Sequence, residues 1–307
     1  MVAALVANAG IAVAKFVGFA LTRSSAMLAE AIHSVADMSN QALLLLGGRR
    51  SRRAPTETHP FGHGRERYFW SFVVALVLFA VGAAFAIHEG IDKVRHPHEM
   101  SSPAVAVGIL LAGIVLESWS LRTAVVESRP HLGGRSWWNF VIRSRNPELP
   151  VVLLEDIGAL LGLVIALAAI GLSSITGEPR WDGVGTIAIG LLLGAIAVVL
   201  AREMQSLLIG ESADADDREA IVAAIGAAPG VVTLVHLRTQ HLGPDEILVG
   251  ARVTFDPALD SAGVAAAVDD VERLVRDAVP TAQPIYVEAA LPQQPPAASD
   301  PSTSDPS

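Results

Sequence analysis

Six long apolar segments occupy the first two-thirds of the chain and constrain its fold more than any other feature. A helix needs about 20 mostly apolar residues to cross the hydrocarbon core of a bilayer. The segments lie at about 2–21, 25–48, 69–91, 103–126, 149–172 and 184–201. A mean hydropathy of +0.46 with only 17% charged residues is too apolar for an ordinary soluble domain. We therefore predict a mainly α-helical membrane protein with six transmembrane helices.

The charges of the loops predict the orientation of these helices. Ten arginines lie after the second and fourth spans, whereas the loops after the other spans hold four basic residues. Because basic loops stay in the cytoplasm, both termini are expected there. We expect no cleavable signal peptide before Thr22, since the chain begins almost directly in its first apolar segment. The richness in alanine, glycine and arginine favours a bacterial plasma membrane.

A polar, acidic segment follows the last span and has the pattern of a small α+β domain. Helical patterns at 214–227 and 261–278 alternate with strand patterns at 231–240, 247–255 and 284–289. The order αββαβ predicts a two-layer sandwich. The chain is thus predicted to have three parts, which are a transmembrane domain at 1–204, a cytoplasmic domain at 205–290 and a disordered tail at 291–307.

Charge and composition exclude several classes of protein. Between residues 205 and 288, fourteen acidic residues stand against five arginines, a balance that repels nucleic acid. The chain has no cysteine, so any metal site must use His, Asp or Glu. Neither a Walker A pattern nor a His-Glu-x-x-His pattern occurs in the sequence. We therefore predict neither an ATP-driven pump nor an enzyme, and no permanently bound cofactor.

The second span carries a polar stripe along one face. Residues three and four apart lie on the same side of a helix. The members of the stripe are Glu30, His33, Asp37, Asn40 and Gln41. Ionisable residues inside a membrane helix are expected to face a bundle interior or a water-filled path. His33 and Asp37 provide half of a site for zinc or a similar ion; a polar seam or an interhelical hydrogen bond is the alternative.

The fifth span contains a second polar intrusion, Glu155 and Asp156. Two adjacent carboxylates in an apolar helix are costly unless they are neutralised, paired or bound to metal. They stand about 100° apart around the helix, so we expect only one to point directly at a given partner. With His33 and Asp37 they would form a nitrogen and oxygen site between two helices. Pairing of one carboxylate with Lys15 or an arginine is the alternative.

The loop after the second span contains Glu57, His59 and His63. Pro60 and two glycines argue against a regular helix at this point. A loop can nevertheless bring both imidazoles to one metal ion. The alternative is that the histidines bind backbone groups or contact the other domain.

Together these residues resemble the cation diffusion facilitator family. The resemblance runs from Asn8 and Lys15 through AEAIHSVADMSNQ at 29–41 and HPFGHGRER at 59–67. It continues through the fifth span and LRT at 237–239. The sequence is most similar to the branch with Glu-Asp in the fifth span, which includes animal ZnT9-like proteins. That family combines six spans with a cytoplasmic ferredoxin-like domain.

The resemblance implies a homodimeric transporter that exports a divalent metal, usually Zn2+, from the cytoplasm in exchange for protons. His33, Asp37 and Asp156 stand at the family's membrane-site positions, whereas Val152 stands where a histidine is usual. Glu155, Asn8 or water is expected to complete the site, supported by Glu30 and Asn40. Because the ligand set departs from the family pattern, Mn2+, Co2+ and Fe2+ are alternative cargoes.

The resemblance also extends to the loop and to the C-terminal domain. His59 and His63 match the family's loop histidines, and Glu57 lies beside them. The C-terminal domain lacks most of the family's metal ligands, so we expect it to dimerise and to bind metal weakly or not at all. The alternative function is a membrane metal sensor or scaffold that has this fold without turnover, and the valine at position 152 favours it.

Overall fold

The computed structural model describes residues 2–23, 25–77, 82–97, 103–134 and 136–291. Within these ranges, the side chains of residues 2–8, 22, 25–27, 29, 30, 33, 36, 37 and 143 are not described. The predicted tail lies outside the described residues except for Leu291. The chain divides into two compact units, Met1–Gly210 and Glu211–Ser307.

The described part of the first unit is helical. Its α-helices are α1 (Val2–Thr22), α2 (Ser25–Ser51), α3 (Glu66–Val77), α4 (Ala84–Arg95), α5 (Pro103–Ser128), α6 (Trp137–Arg143), α7 (Glu148–Thr176) and α8 (Arg180–Ile209). A short 3-10 helix follows α5 at Arg129–His131. The predicted third span corresponds to α3 and α4, and residues 78–81 between them are outside the described ranges.

Three of the described helical segments are long and apolar enough to cross a membrane. They are Pro103–His131, Glu148–Thr176 and Arg180–Ile209. In α1, which has 21 residues, Ala9–Leu21 is the apolar part whose side chains the structure describes. Helix α2 has 27 residues, but its polar stripe and its terminal arginines reduce its hydropathy. The structure thus contains several apolar helices suited to a membrane, and the full set of six spans stays a prediction.

Helix α6 is a short helix that the hydropathy pattern did not predict. The Ser136 side chain caps its first turn by accepting a hydrogen bond from the backbone N–H of Asn139 at 3.3 Å. Val141 packs with Ala124 of α5 and Leu153 of α7. A seven-residue helix with one buried side is too short to produce a membrane-length apolar signal.

Helices α4 and α8 approach each other closely at glycine residues. A Cβ atom on Gly183 would lie 2.8 Å from the carbonyl oxygen of Gly90. Small residues allow membrane helices to pack backbone against backbone. Beside this contact, Lys93 Nζ lies 3.7 Å from Asp182 Oδ2, and both side chains are buried. Close packing and a buried ion pair therefore join these two helices.

Apolar side chains occupy both the interior and the surface of the first unit. Leu163, Ile170 and Leu200 belong to a buried cluster formed mainly by α5, α7 and α8. Ile175 and Trp119 are 85% and 73% exposed. Many large apolar side chains on the surface are expected where a helix bundle faces lipid.

The second unit has the predicted order αββαβ. Its elements are α9 (Ala215–Ala227), β1 (Val231–Gly243), β2 (Glu246–Phe255), α10 (Ser261–Ala278) and β3 (Ala282–Ala290). Strand β2 pairs antiparallel with β1 and parallel with β3, and α10 supplies the crossover that a parallel pair requires. Ile221 of α9 and Val271 of α10 pack with Val249 in one core, which makes two layers.

The first unit ends slightly later than the predicted boundary at residue 204. Helix α8 continues to Ile209, and Gly210 follows it with a φ of 116°. Glycine adopts this positive φ without the steric cost that a Cβ atom would add. The units therefore divide after Gly210.

Candidate metal site

The polar stripe of α2 lies within one uninterrupted helix, as predicted. Helix α2 contains Glu30, His33 and Asp37, whose side chains lie outside the described residues, as does that of Asn8 in α1. Helical geometry alone places His33 and Asp37 on the same face as Asn40, which lies seven and three residues further on. The described side chains of the stripe show which helix this face contacts.

Asn40 connects the polar stripe to α7. Its Nδ2 donates a hydrogen bond to Glu155 Oε1. Both residues are buried, with 0% and 5% of their surface exposed. A carboxylate in an apolar interior requires such a donor, because an unsatisfied buried polar group costs about 1–3 kcal/mol and a charged one costs more. The contact brings Glu155 against the face of α2 that carries the predicted ligands.

Asp156 has a different neighbour. Ser120 of α5 donates to the Asp156 carboxylate, with Oγ at 3.2 Å from Oδ1 and 3.1 Å from Oδ2. The two adjacent acids of α7 thus have hydrogen-bond donors on two different helices. Adjacent residues stand about 100° apart around a helix, so the two side chains point in different directions.

Ser120 was not predicted as part of the site. Its only sequence signal is a hydroxyl in an apolar helix, and Ser118 and Thr123 share that signal. Those two hydroxyls instead donate to carbonyl oxygens of their own helix, at 2.6 Å and 3.1 Å. Only the rotation of α5 against α7 distinguishes Ser120 from them.

A cavity of about 260 Å³ lies between α2, α5 and α7. Gln41, Ser120 and Asp156 contribute polar groups to its lining. Val152 also lines it, one turn before Asp156. An apolar side chain therefore borders this cavity one turn from Asp156.

Several buried oxygens of α2 have no hydrogen-bond partner within the described part of the chain. They are Ser34 Oγ, Asn40 Oδ1 and Gln41 Oε1. Buried polar atoms in folded proteins usually have a partner in the protein, in water or in a ligand. These oxygens are suited to accept hydrogen bonds from water or to approach a cation.

Lys15 of α1 lies close to a carboxylate of α5. Its Nζ is 3.9 Å from Glu117 Oε1, and the two side chains are only 4% and 12% exposed. The sequence left open an ion pair of Lys15 with Glu155 or Asp156. The ion pair with Glu117 joins α1 to α5.

The loop between α2 and α3 brings its two histidines together. The ring centroids of His59 and His63 are 4.7 Å apart, with 35° between the ring planes. A turn produces this approach, since the N–H of Gly62 donates to the carbonyl of His59 at 3.0 Å and Gly62 has a φ of 76°. Thr58 Oγ1 lies 3.1 Å from His59 Nδ1, and Glu57 is exposed nearby in sequence.

The described side chains do not form a complete metal site by themselves. Among them, no group of three or more His, Asp or Glu residues is arranged to hold an ion. The α2 ligands His33 and Asp37 lie outside that set. The described half of the candidate site therefore consists of Glu155, Asp156 and their donors.

Glu155 is buried in a unit of apolar helices, the adjacent Asp156 lines a cavity, and a small α+β unit follows. This architecture fits a membrane cation transporter. Residues 1–209 match the family model of the cation efflux transmembrane domain. The chain belongs to this family of cation efflux transporters, also called cation diffusion facilitators, and to its ZnT9-like branch.

Three relatives illustrate the similarity. The proton-coupled zinc antiporter SLC30A9, mitochondrial, of Xenopus laevis is 35% identical over 244 residues, which are 79% of this chain and 44% of that protein. The protein of the same name in Homo sapiens is 34% identical over 79% of this chain and 43% of its own length. Metal tolerance protein C4 of Arabidopsis thaliana is 32% identical, with shares of 76% and 51%. The chain thus spans about half the length of these relatives.

Proposed function

We propose that this chain exports a divalent cation, with Zn2+ as its principal cargo, in exchange for protons. The observation that carries the proposal is the buried hydrogen bond from Asn40 of α2 to Glu155 of α7. Polar and ionisable groups inside an apolar bundle are expensive and usually mark an ion pathway. The names of the zinc antiporter relatives support the same cargo and coupling.

The proposed membrane site lies between α2 and α7. Its ligands are His33, Asp37, Glu155 and Asp156. Asn8, Glu30 and Asn40 are the proposed supporting polar groups. Imidazole and carboxylate ligands suit Zn2+, and a carboxylate-rich set also accepts Mn2+, Co2+ or Fe2+. The apolar Val152 leaves more of the binding to the two acids of α7.

Exchange with protons follows from the chemistry of these ligands. Imidazole and carboxylate groups bind metal only when they are deprotonated, so protons and metal compete for one site. A site open to the cytoplasm takes up the ion and releases protons. When the helices rock and open the site to the other side, protons displace the ion.

The loop histidines form a second proposed metal site on the cytoplasmic side. His59 and His63 lie ring against ring, and His63 Nδ1 is buried with no hydrogen-bond partner among the described residues. Neutral imidazole nitrogens are ready zinc ligands. Glu57 is the proposed third ligand.

We further propose a homodimer in a bacterial plasma membrane, with both termini in the cytoplasm. The ten arginines of the loops after the second and fourth spans support this orientation. In the second unit, Val232, Val235 and Tyr286 are exposed apolar side chains on β1 and β3. Exposed apolar groups on a small domain are suited to contact with a second copy.

Flux into proteoliposomes tests the function directly. Zn2+, Mn2+, Co2+ and Fe2+ are supplied outside vesicles that contain a pH-sensitive dye and the purified chain. Metal uptake with opposing proton flow is expected for the wild type and not for Asp37→Ala. Asp216→Ala is the matched control, because it removes an exposed carboxylate of the second unit.

Two outcomes would contradict the proposal. Equal transport by wild type and Asp37→Ala would remove the membrane site from the mechanism. Absence of flux with all four metals, from protein that is folded and dimeric, would favour the metal sensor or scaffold.

A further inference from the structure

The cavity beside Asp156 extends towards the ends of α5 and α7. Asp156 and Ser120 border it at one level, and Glu127, Ser128 and Glu148 border it at another. Positions 148 and 156 are about 12 Å apart along a helix that rises 1.5 Å per residue. We call this cavity the vestibule. The loop arginines predict that its Glu127 and Glu148 level lies on the cytoplasmic side.

Buried hydroxyl and amide groups indicate that the vestibule accommodates a polar ligand. Ser128 is 0% exposed and lines the cavity, and its Oγ has no hydrogen-bond partner within the described residues. At the level of Asp156, Gln41 also lines the cavity, and its buried Oε1 has no hydrogen-bond partner within the described residues. An apolar occupant would leave both groups unsatisfied, at about 1–3 kcal/mol each. Water or a hydrated ion satisfies them.

The vestibule also has the right charge and size for a cation. Glu127 is exposed, while Glu148 is half-buried with its Oε1 3.6 Å from Arg67 Nε. Six waters at about 30 Å³ each occupy about 180 Å³. The cavity of about 260 Å³ therefore has room for a divalent ion with its first hydration shell.

We infer that the vestibule is a docking site for a hydrated divalent cation, in which Glu127 and Glu148 attract the ion ahead of its transfer to Asp156. This inference rests on the proposed export function. Carboxylates hold hydrated divalent ions through their bound water. Because Arg67 partly neutralises Glu148, Glu127 is the stronger attracting charge and the residue to test.

The test is the dependence of zinc uptake on zinc concentration at low and at physiological ionic strength. Glu127→Gln is expected to raise KM about three- to tenfold at low ionic strength and to leave kcat unchanged, since one unit charge is removed from the path of a doubly charged ion. Salt should reduce this difference, because it screens exposed charges. Glu178→Gln, an equal change of charge at an exposed position at the other end of α7, is the control.

A second variant separates hydroxyl contacts from charge. Ser128→Ala is expected to raise KM by a factor that does not depend on salt, because it removes a contact to the ion's water and no charge. If Ser128→Ala has the KM of the wild type, the Ser128 hydroxyl has no role in docking.

The possible failures are distinguishable. Zinc transport by the wild type, with a wild-type KM and salt dependence in Glu127→Gln, overturns the docking site and leaves the export function intact. A loss confined to kcat also overturns it, because docking acts before transfer. If the wild type transports no metal, equilibrium dialysis of Zn2+ against the full chain decides. Docking predicts a weak class of bound zinc that Glu127→Gln lacks, and identical binding by both proteins contradicts it.

Discussion

At the scale of single residues, the adjacent acids of α7 connect three helices. Glu155 accepts a hydrogen bond from α2, and Asp156 accepts one from α5. A movement of α7 relative to either neighbour must therefore change one of these contacts. In the proposed transport cycle, the two carboxylates would couple metal occupancy to the arrangement of the helices.

Replacement of Asn40 tests the contact between α2 and α7. Asn40→Ala removes a hydrogen-bond donor to buried Glu155 and is expected to lower the free energy of unfolding by about 1–3 kcal/mol. Thermal melting of the purified protein in detergent measures this as a lower midpoint. Ser39→Ala is the control, because the Ser39 hydroxyl donates to the carbonyl oxygen of Val35 in its own helix. Equal melting of the two variants would contradict a stabilising role for Asn40.

Replacement of Ser120 tests how Asp156 is positioned. Ser120→Ala removes a donor to both carboxylate oxygens of Asp156, so this side chain is held less firmly. KM for zinc is expected to rise about tenfold, which corresponds to the energy of one hydrogen bond to a charged group. Ser120→Thr keeps the hydroxyl and should retain most of the affinity. Ser118→Ala removes a hydroxyl that donates within α5 and should be neutral. A wild-type KM for Ser120→Ala would exclude the positioning role.

At the scale of secondary-structure elements, glycine determines how closely α4 and α8 pack. The approach of Gly183 to Gly90 leaves no room for a methyl group. Because a neighbouring backbone cannot move away as a side chain can, a substitution there must separate the helices. The ion pair of Lys93 with Asp182 depends on the same short interhelical distance.

A pair of glycine variants tests this packing. Gly183→Ala is expected to destabilise the protein by about 1–3 kcal/mol, the usual cost of overpacking. Gly171→Ala in α7 adds a methyl group that would meet no described atom within 4 Å beyond its own stretch of helix. It should be neutral or slightly stabilising because alanine favours helix. Thermal melting compares the stability of the two variants. A Gly183→Ala variant more stable than the wild type would show that the interface between α4 and α8 has room for a methyl group.

At the scale of the whole molecule, the arginine distribution makes a prediction about topology. The chain contains no cysteine, so single cysteines report on one position each. Thr56→Cys, Ser212→Cys and Glu178→Cys replace exposed residues. In intact cells, an impermeant thiol reagent is expected to label only the cysteine at position 178, because the other two lie on the cytoplasmic side. Labelling at 56 or 212 would reverse the orientation.

The resemblance to the cation diffusion facilitators is confirmed by the family match over residues 1–209. Much of the second unit was also predictable, because its signals are local. Helix α10 begins and ends at the predicted residues, and Asp260 caps it by accepting from the N–H of Gly263 at 2.8 Å. A cap and an apolar stripe act within a few residues, so they can be read along the chain.

The partners of the polar groups could not be read in this way. Asn40 and Glu155 are 115 residues apart, and Ser120 and Asp156 are 36 residues apart. Helical periodicity places each of them on a face of its own helix, but no local signal says which neighbour that face meets. The same limit concealed the vestibule, whose lining comes from α2, α5 and α7.

The order of residues alone thus determined the apolar helices, the αββαβ unit and the polar positions of α2 and α7, since these depend on patterns that repeat every few residues. The tertiary structure decided that Glu155 meets α2, that Asp156 meets α5 and that Lys15 lies beside Glu117. Side-chain packing sets the rotation and separation of the helices, and it depends on contacts between distant parts of the chain. The chemistry of this site depends on that packing.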